Sequence, residues 1–116
     1  MMDTPMIQLL ERFLNLTSDR QSLVVANMAN IDTPGYHTRD IDFQAELRRA
    51  AGGDATLAPV SYAVPGLLER PDGNNVSLDR EGLLLSEVQM QYRIGVELMR
   101  TEFHRLLTAI NEGKQQ

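Results

Sequence analysis

The chain has no cysteine and no tryptophan, and only 5% of its 116 residues are aromatic. The absence of cysteine excludes disulfides, thiolate nucleophiles and zinc–thiolate sites. The shortage of large aromatic side chains favours helix seams over a thick core, and a chain this short buries only a modest fraction of its surface. We therefore expect one unit over residues 1–116, either a thin helical hairpin or a subunit of an oligomer.

Basic residues are also scarce, with 11 Lys and Arg against 16 Asp and Glu, and the net charge is -5. An acidic chain is repelled by phosphate backbones, so we expect no nucleic-acid partner. The sequence lacks the run of about 18 apolar residues that a membrane-spanning helix needs. It also lacks the basic and then apolar start of a secretory signal. We expect neither a membrane span nor a cleavable signal peptide.

Motifs for catalysis and metal binding are missing as well. His37 lies near Asp40 and Asp42, but such a trio is common by chance, and we expect a solvated surface there. We expect His104 to be a packing or edge residue of the last helix. The run Asp72–Asn75 lacks the closing glutamate of a calcium loop and predicts a turn. No serine stands in a nucleophile elbow, and no glycine-rich phosphate loop occurs. We expect no enzyme activity, no cofactor, no metal and no small-molecule substrate.

Apolar residues recur at alternating spacings of four and three in the N-terminal quarter of the chain. This pattern predicts an amphipathic helix over residues 5–31, with Asp3 or Thr4 as its cap and Pro5 in its first turn. The main stripe is Leu10, Leu14, Thr17, Gln21, Val24, Met28 and Ile31. A parallel stripe is Met6, Leu9, Phe13, Leu16 and Leu23.

A second long helix is predicted over residues 77–113, with Ser77 as its cap, Glu81 near its positive end and Gly113 at its close. Its stripe is Leu85, Val88, Tyr92, Gly95, Met99, Phe103, Leu106 and Ile110. Two heptad-like helices at the two ends of the chain predict an all-α fold, in which they form an antiparallel coiled-coil-like hairpin.

The middle segment, residues 32–76, is rich in glycine and proline. Thr33–Tyr36 suits a type II turn, in which Gly35 takes a positive φ. Asp42 can cap a short helix over residues 43–51 that ends at two glycines. The alternation of Val60, Tyr62 and Val64 predicts one short extended segment that could be half of a hairpin. We expect the rest of this partly β segment to be irregular.

The most distinctive motif joins the end of the first helix to the turn. It reads Asn27-Met28-Ala29-Asn30-Ile31-Asp32-Thr33-Pro34-Gly35-Tyr36. This run resembles, nearly residue for residue, the signature of flagellar rod, hook and hook–filament-junction proteins. Its signature positions are Asn27, Asn30, Thr33, Pro34, Gly35 and Tyr36. The runs at 37–43, 72–81 and 91–93 resemble the proximal rod proteins of the flagellar basal body more closely than other members of the axial family.

The resemblance implies a structural subunit that the flagellar type III apparatus exports and that polymerises helically into the rod across the periplasm. It implies further copies of itself, other rod proteins, the adaptor between rod and membrane ring, and the export gate as partners. In the family, a phenylalanine followed four residues later by an aliphatic residue is read by the gate, and Phe43 and Leu47 match that pattern. The alternative is a small helical adaptor or secretion chaperone, which would not need the Thr-Pro-Gly-Tyr turn.

Both predicted helices carry apolar faces wider than one two-helix seam requires, which indicates an interaction surface. The predicted assembly seam comprises Leu10, Leu14, Val24, Met28, Leu85, Val88, Tyr92, Met99, Phe103, Leu106 and Ile110. Further residues predicted to meet neighbouring subunits are Leu9, Phe13, Leu16, Leu23, Leu84, Ile94 and Leu98.

Overall fold

The computed structural model describes residues 4–53 and 58–114. Within these ranges the elements are α1 (Pro5–Ala29), β1 (Arg39–Ile41), α2 (Phe43–Ala51), β2 (Ser61–Ala63) and α3 (Leu78–Lys114). The mostly helical fold with two long terminal helices confirms that part of the prediction, and a small two-stranded sheet is added to it. The molecule is elongated, with principal extents of 71, 25 and 18 Å.

Local chemistry at both ends explains the bounds of α1. Thr4 Oγ1 accepts a hydrogen bond from the Ile7 N–H at 3.1 Å, and Pro5 takes the first helical position, where its missing N–H costs nothing. At the other end, the Asn30 side-chain amide donates to the Ala26 carbonyl at 2.8 Å. Asn30 itself leaves the helical conformation, with φ -101° and ψ 19°, so α1 ends at Ala29 and not at residue 31 as predicted. The alternative cap Asp3 lies outside the described residues.

The long helices pack antiparallel. Asn27 on α1 contacts Glu81 on α3, and Leu14 lies against Gly95. A Cβ built on Gly95 would lie 2.7 Å from Leu14 Cδ2 and 2.9 Å from Phe13 Cδ1, so a larger residue here would require these two side chains to shift. Glycine therefore suits the close contact of the two helices at this point.

This register leaves the last turns of α3 without a partner from α1. Each step towards the N-terminus of α1 matches one step towards the C-terminus of α3, so Pro5 falls opposite about residue 104. Every residue from 107 to 113 is exposed. We call residues 104–114 the overhang.

A small second layer covers another side of α1. β1 and β2 pair antiparallel with Asp40 opposite Tyr62, and α2 lies between them in the chain. The extended segment is therefore not half of a tight hairpin. α2 has the bounds expected from its sequence, and the Asp42 side chain accepts from the Ala45 N–H at 3.1 Å. The Phe43 ring meets Phe13 of α1 edge to face, with the ring centroids 5.2 Å apart.

The two layers change which apolar side chains remain available. Leu16, predicted to meet neighbouring subunits, is fully buried, so that prediction was wrong. Its burial follows from the double cover of α1, which packs against both α3 and the α2–β1 layer. Conversely, Tyr92, Phe103 and Ile110 lie on the predicted stripe of α3 but remain between 39% and 49% exposed.

Candidate assembly site

The signature turn adopts a conformation that requires glycine. Gly35 has a φ of +75°, and the Tyr36 N–H donates to the Thr33 carbonyl at 3.2 Å. Apart from its chain neighbours, no atom of the residues that the structure describes lies within 4 Å of a Cβ built on Gly35, so the need for glycine comes from the backbone conformation and not from lack of space. The Gly35 N–H donates to the Asp72 carbonyl at 2.8 Å, which ties the turn to the segment before α3.

Asn74 holds the end of α1 and the turn together. Its side chain is fully buried, and its amide donates to the carbonyls of Asn30 and Thr33, both at 2.9 Å. Its Oδ1 accepts from the Val76 N–H at 2.8 Å. One side chain thus satisfies three backbone groups, of which two lie more than 40 residues away in sequence.

Asn75 makes a second link between the same two segments. Its Oδ1 accepts from the Thr38 N–H at 2.7 Å, and its own N–H donates to the Tyr36 carbonyl at 3.2 Å. A Cβ on Gly73 would lie 3.3 Å from Gly35 Cα, so the two loops are also in close backbone contact. The signature turn is therefore held by the segment 72–76 along most of its length.

Asn27 uses all four of its hydrogen-bonding positions. Its amide donates to the Arg39 carbonyl at 2.9 Å and to Glu81 Oε1 at 2.5 Å. Its Oδ1 accepts from the Tyr36 hydroxyl at 2.9 Å and from the Arg39 N–H at 3.1 Å. A carboxylate would lack the two donors at this position, so the site selects asparagine over aspartate.

Tyr36 is a donor in this network, and its environment keeps it one. Burial raises the pKa of its hydroxyl above the ordinary value, the Arg39 charge lowers it, and the Glu81 charge raises it again. The net direction is upward, so the phenol stays protonated and continues to donate to Asn27. We call the network of Asn27, Tyr36, Arg39, Asn74, Asn75 and Glu81 the junction.

Buried charges beside the junction are balanced. Arg20 donates to both oxygens of Asp40 at 3.0 and 3.2 Å, and Arg80 Nη1 lies 2.9 Å from Glu81 Oε2. Arg80 also reaches Asp40 at 4.0 Å. Two cations therefore face the two buried carboxylates of Asp40 and Glu81, and Arg20 also lies 3.9 Å from the exposed Glu87. Removal of either arginine would leave a buried carboxylate without its nearest cation.

The candidate metal trio does not come together. Asp40 turns inward to Arg20, whereas Asp42 is exposed and caps α2. His37 is exposed, with its Nε2 2.8 Å from Glu69 Oε1, and His104 is exposed on α3. Over residues 4–53 and 58–114, no group of three His, Asp or Glu side chains is placed to hold a metal ion.

The second part of the candidate site is apolar and lies on α3. Leu83 and Met90 are 75% and 61% exposed, and Ile94, Leu98 and Leu107 are each about half exposed. Despite this surface, neither long helix, as far as it is described, has the apolar stretch needed to cross a bilayer. Of the predicted assembly seam, the fold buries Leu10, Val24 and Val88, half-buries Leu14, Met28, Leu85, Met99 and Leu106, and leaves Tyr92, Phe103 and Ile110 exposed.

The pair Phe43 and Leu47 lies on the face of α2 that meets α1. Both side chains are half-buried. Leu47 lines an apolar cavity of about 270 Å³ together with Leu9, Leu10 and Phe13. In the folded chain these two residues therefore attach α2 to α1.

Sequence reasoning missed the roles of three polar residues. Asn74 and Asn75 were expected only to form a turn, and Glu81 only to favour the helix dipole, yet all three are buried at the junction. Two consecutive asparagines, separated by one residue from the helix cap Ser77, were the one available signal, since asparagine side chains can bond backbone groups. The segment they would meet could not be deduced from it.

Comparison with known proteins gives one consistent result. No family model matches the chain. It is similar to the flagellar basal body rod protein FlgB of Salmonella typhimurium, with 32% identity in an alignment 122 positions long that covers 86% of this chain and 88% of the relative. The FlgB of Escherichia coli is 31% identical over 125 aligned positions, with the same coverage. The FlgB of Cereibacter sphaeroides is 34% identical over 112 aligned positions, which cover 84% of this chain and 87% of the relative.

Proposed function

Because the chain belongs to the FlgB family of flagellar basal body rod proteins, we propose that it is a subunit of the proximal rod that polymerises into the torque-transmitting drive shaft. The family is one of structural rod components, which agrees with the absence of any catalytic motif in the sequence. Membership of this family favours a polymer subunit over the alternative of a helical adaptor or secretion chaperone. In the rod, the chain would lie in the periplasmic space.

One structural observation supports assembly above all. The overhang extends beyond the start of α1, and its Leu107 and Ile110 side chains are 50% and 45% exposed. Short helices are marginal in water without tertiary packing, so an apolar helix end of this kind is stabilised when another chain covers it. Neighbouring copies and other rod proteins are the partners we propose for it, and the adaptor between rod and membrane ring is a further proposed neighbour.

The proposal predicts where the protein is found. Hook–basal bodies purified from cells that produce an epitope-tagged chain should contain it in the rod, as seen by immunogold labelling and mass spectrometry. A strain without the gene, complemented by the tagged chain, provides the control for function of the tag. If the complemented cells swim but their basal bodies lack the chain, the rod assignment is wrong.

Export is the second part of the proposal. We propose that the flagellar type III gate reads Phe43 and Leu47 in the chain before it folds. In the folded chain Phe43 packs on Phe13 and Leu47 lines the cavity against α1. Recognition of the two side chains therefore requires that α2 be detached from α1.

The export proposal can be separated from packing by three variants. Phe43→Ala with Leu47→Ala should reduce the amount of protein that leaves the cytoplasm. Gln44→Ala with Arg48→Ala has the same spacing on exposed positions and should be exported normally. Phe13→Ala removes the same ring contact but leaves the motif intact, so it should also be exported. Equal export of all three variants would refute the role of the motif.

A further inference from the structure

An apolar ridge runs along the outer side of α3. Leu83, Met90 and Ile94 are 75%, 61% and 49% exposed. They stand at spacings of seven and four, and Glu87 completes the same face between them, since residues three, four and seven apart share one side of a helix. The exposure of all three side chains shows that no element among the described residues covers this ridge.

A groove lies on the outer side of α1. It is a shallow depression of about 390 Å³ lined by Ser18, Gln21, Ser22, Val25 and Ala26. No charged residue occurs from position 21 to position 31. An apolar side chain that enters the groove would therefore not desolvate a charged group on this part of α1.

The ridge and the groove face opposite ways. Arg20 of α1 reaches to Glu87 at 3.9 Å, and Glu87 lies on the face of the ridge. Ser18 and Ser22 are two positions before and after Arg20, and residues two apart on a helix point about 160° away from each other. The groove therefore opens on the side of the molecule away from the ridge.

We propose that the ridge of one copy docks into the α1 groove of a second copy, an inference that rests on the proposed rod function. The fit is one of shape and charge: large apolar side chains meet a concave, uncharged surface, and the one charge in the ridge, Glu87, already faces Arg20. A contact between two different patches on opposite faces cannot close into a two-fold dimer. Repeated from copy to copy, it builds a closed ring or an open helical array, depending on the rotation between neighbours.

The size of the contact explains why copies need not associate in dilute solution. The ridge from Leu83 to Ile94 is only about 17 Å long, and a helix is about 10 Å wide. Such a strip is far smaller than the roughly 800 Å² per partner of a stable interface. The contact should therefore hold only where further contacts, such as those of the overhang, add to it.

Crosslinking tests the pairing directly, because the chain has no cysteine of its own. Ser22→Cys and Ile94→Cys are introduced singly and together into the full chain, and isolated hook–basal bodies are treated with a short bismaleimide. The double variant should give a ladder of dimers and larger multimers, whereas each single variant should give none. A matched control is Asn15→Cys with Ile94→Cys, since Asn15 lies on the same side of α1 two turns away and outside the groove.

The outcomes separate this inference from the proposed function. Double-variant chains that are present in basal bodies but give no ladder overturn the docking while the rod function stands. Dimers from Ile94→Cys alone show ridge-to-ridge pairing and overturn it, as does a crosslink to a different protein without a ladder. Absence of even the unmodified chain from basal bodies removes both proposals.

A second variant covers the case in which a cysteine itself disturbs assembly. Ser22→Leu fills the groove and should abolish incorporation into basal bodies, while Asn15→Leu adds the same side chain outside the groove and should be incorporated. Both should leave the unfolding midpoint of the purified chain unchanged, because both positions are exposed. Normal incorporation of Ser22→Leu overturns the proposal.

Discussion

The two ends of the helical pair use opposite kinds of surface. At the junction end, Asn27, Asn74 and Glu81 are at most 1% exposed, and their polar groups bond within the same chain. At the overhang, Leu107 and Ile110 are 50% and 45% exposed. The end rich in polar side chains is buried, and the apolar end is open to solvent.

This inversion separates two tasks. Buried hydrogen bonds demand defined geometry, so the junction fixes the angle and register of α3 relative to α1 and the signature turn. Apolar contact is not directional, so the overhang can adapt to a partner that approaches from outside. We infer that the junction specifies the shape of the subunit and that the overhang serves its association. Substitutions at the two ends should therefore affect different measurements.

The largest effect on stability is expected from Asn74→Ala. Three hydrogen bonds are lost, two of them to part-buried carbonyls and one from the buried Val76 N–H, which should lower the free energy of unfolding by about 3 kcal/mol. Asn111→Ala is the matched control, since Asn111 is exposed on the overhang, and it should change stability by less than about 0.5 kcal/mol. Urea unfolding followed by circular dichroism measures both. Equal losses would show that the two ends do not differ as described.

The next largest effect is expected from Gly35→Val. A β-branched residue at a φ of +75° is strained, and the cost should be about 2 kcal/mol even though the surrounding space is free. Gly113→Val places the same side chain on the overhang, where a Cβ meets no atom of residues 4–53 and 58–114 within 4 Å outside the helix's own backbone, and the φ is not positive. It should be neutral within about 0.5 kcal/mol. A Gly35→Val chain as stable as the natural one would exclude the need for glycine at the turn.

These effects also mark the limit of sequence reasoning. The start of α1 and the bounds of α2 were predictable because they depend on neighbours in the chain: Thr4 with Pro5, and Asp42 with the glycines after Ala51. Caps act within one turn of helix, so the sequence contains all the information they need.

The contacts between distant segments were not predictable. Strands of three residues carry too little pattern to reveal that β1 pairs with β2 across α2. The burial of Leu16 depends on that second layer, which periodicity along α1 cannot show. Asn74 bonds to groups more than 40 residues away, and its polar character alone indicated an exposed turn. In each case the missing information was the tertiary partner.

A smaller effect is expected on the free energy of unfolding at alkaline pH. The pKa of Tyr36 is raised in the fold, chiefly by burial, so its contribution to stability is fully present below its unfolded pKa of about 10 and is lost as pH rises through the folded value. The free energy of unfolding should therefore decline above about pH 10. Tyr36→Phe should be less stable at neutral pH but should decline less steeply. Parallel pH profiles of the two proteins would contradict the assignment.

The smallest effect on the isolated chain, and a decisive one on assembly, is expected at the overhang. Leu107→Lys with Ile110→Lys should leave the free energy of unfolding within about 0.5 kcal/mol, because both side chains are already about half exposed and lack a partner among the described residues. Incorporation into basal bodies should nevertheless be lost, since two ammonium groups would have to be desolvated wherever a neighbour covers this surface.

Charge alone must be separated from position in that experiment. Thr108→Lys with Ala109→Lys adds the same two charges to the same part of α3, at exposed positions on the side of the helix away from Leu107 and Ile110. If the overhang contacts its neighbour through the face of Leu107 and Ile110, this control chain is incorporated and the first is not. If both are incorporated, the overhang stays in solvent in the assembled rod, and the apolar ridge of α3 becomes the principal contact. If both are excluded, the neighbour surrounds the helix end on all sides, as expected for a helix inserted between subunits and not laid against one.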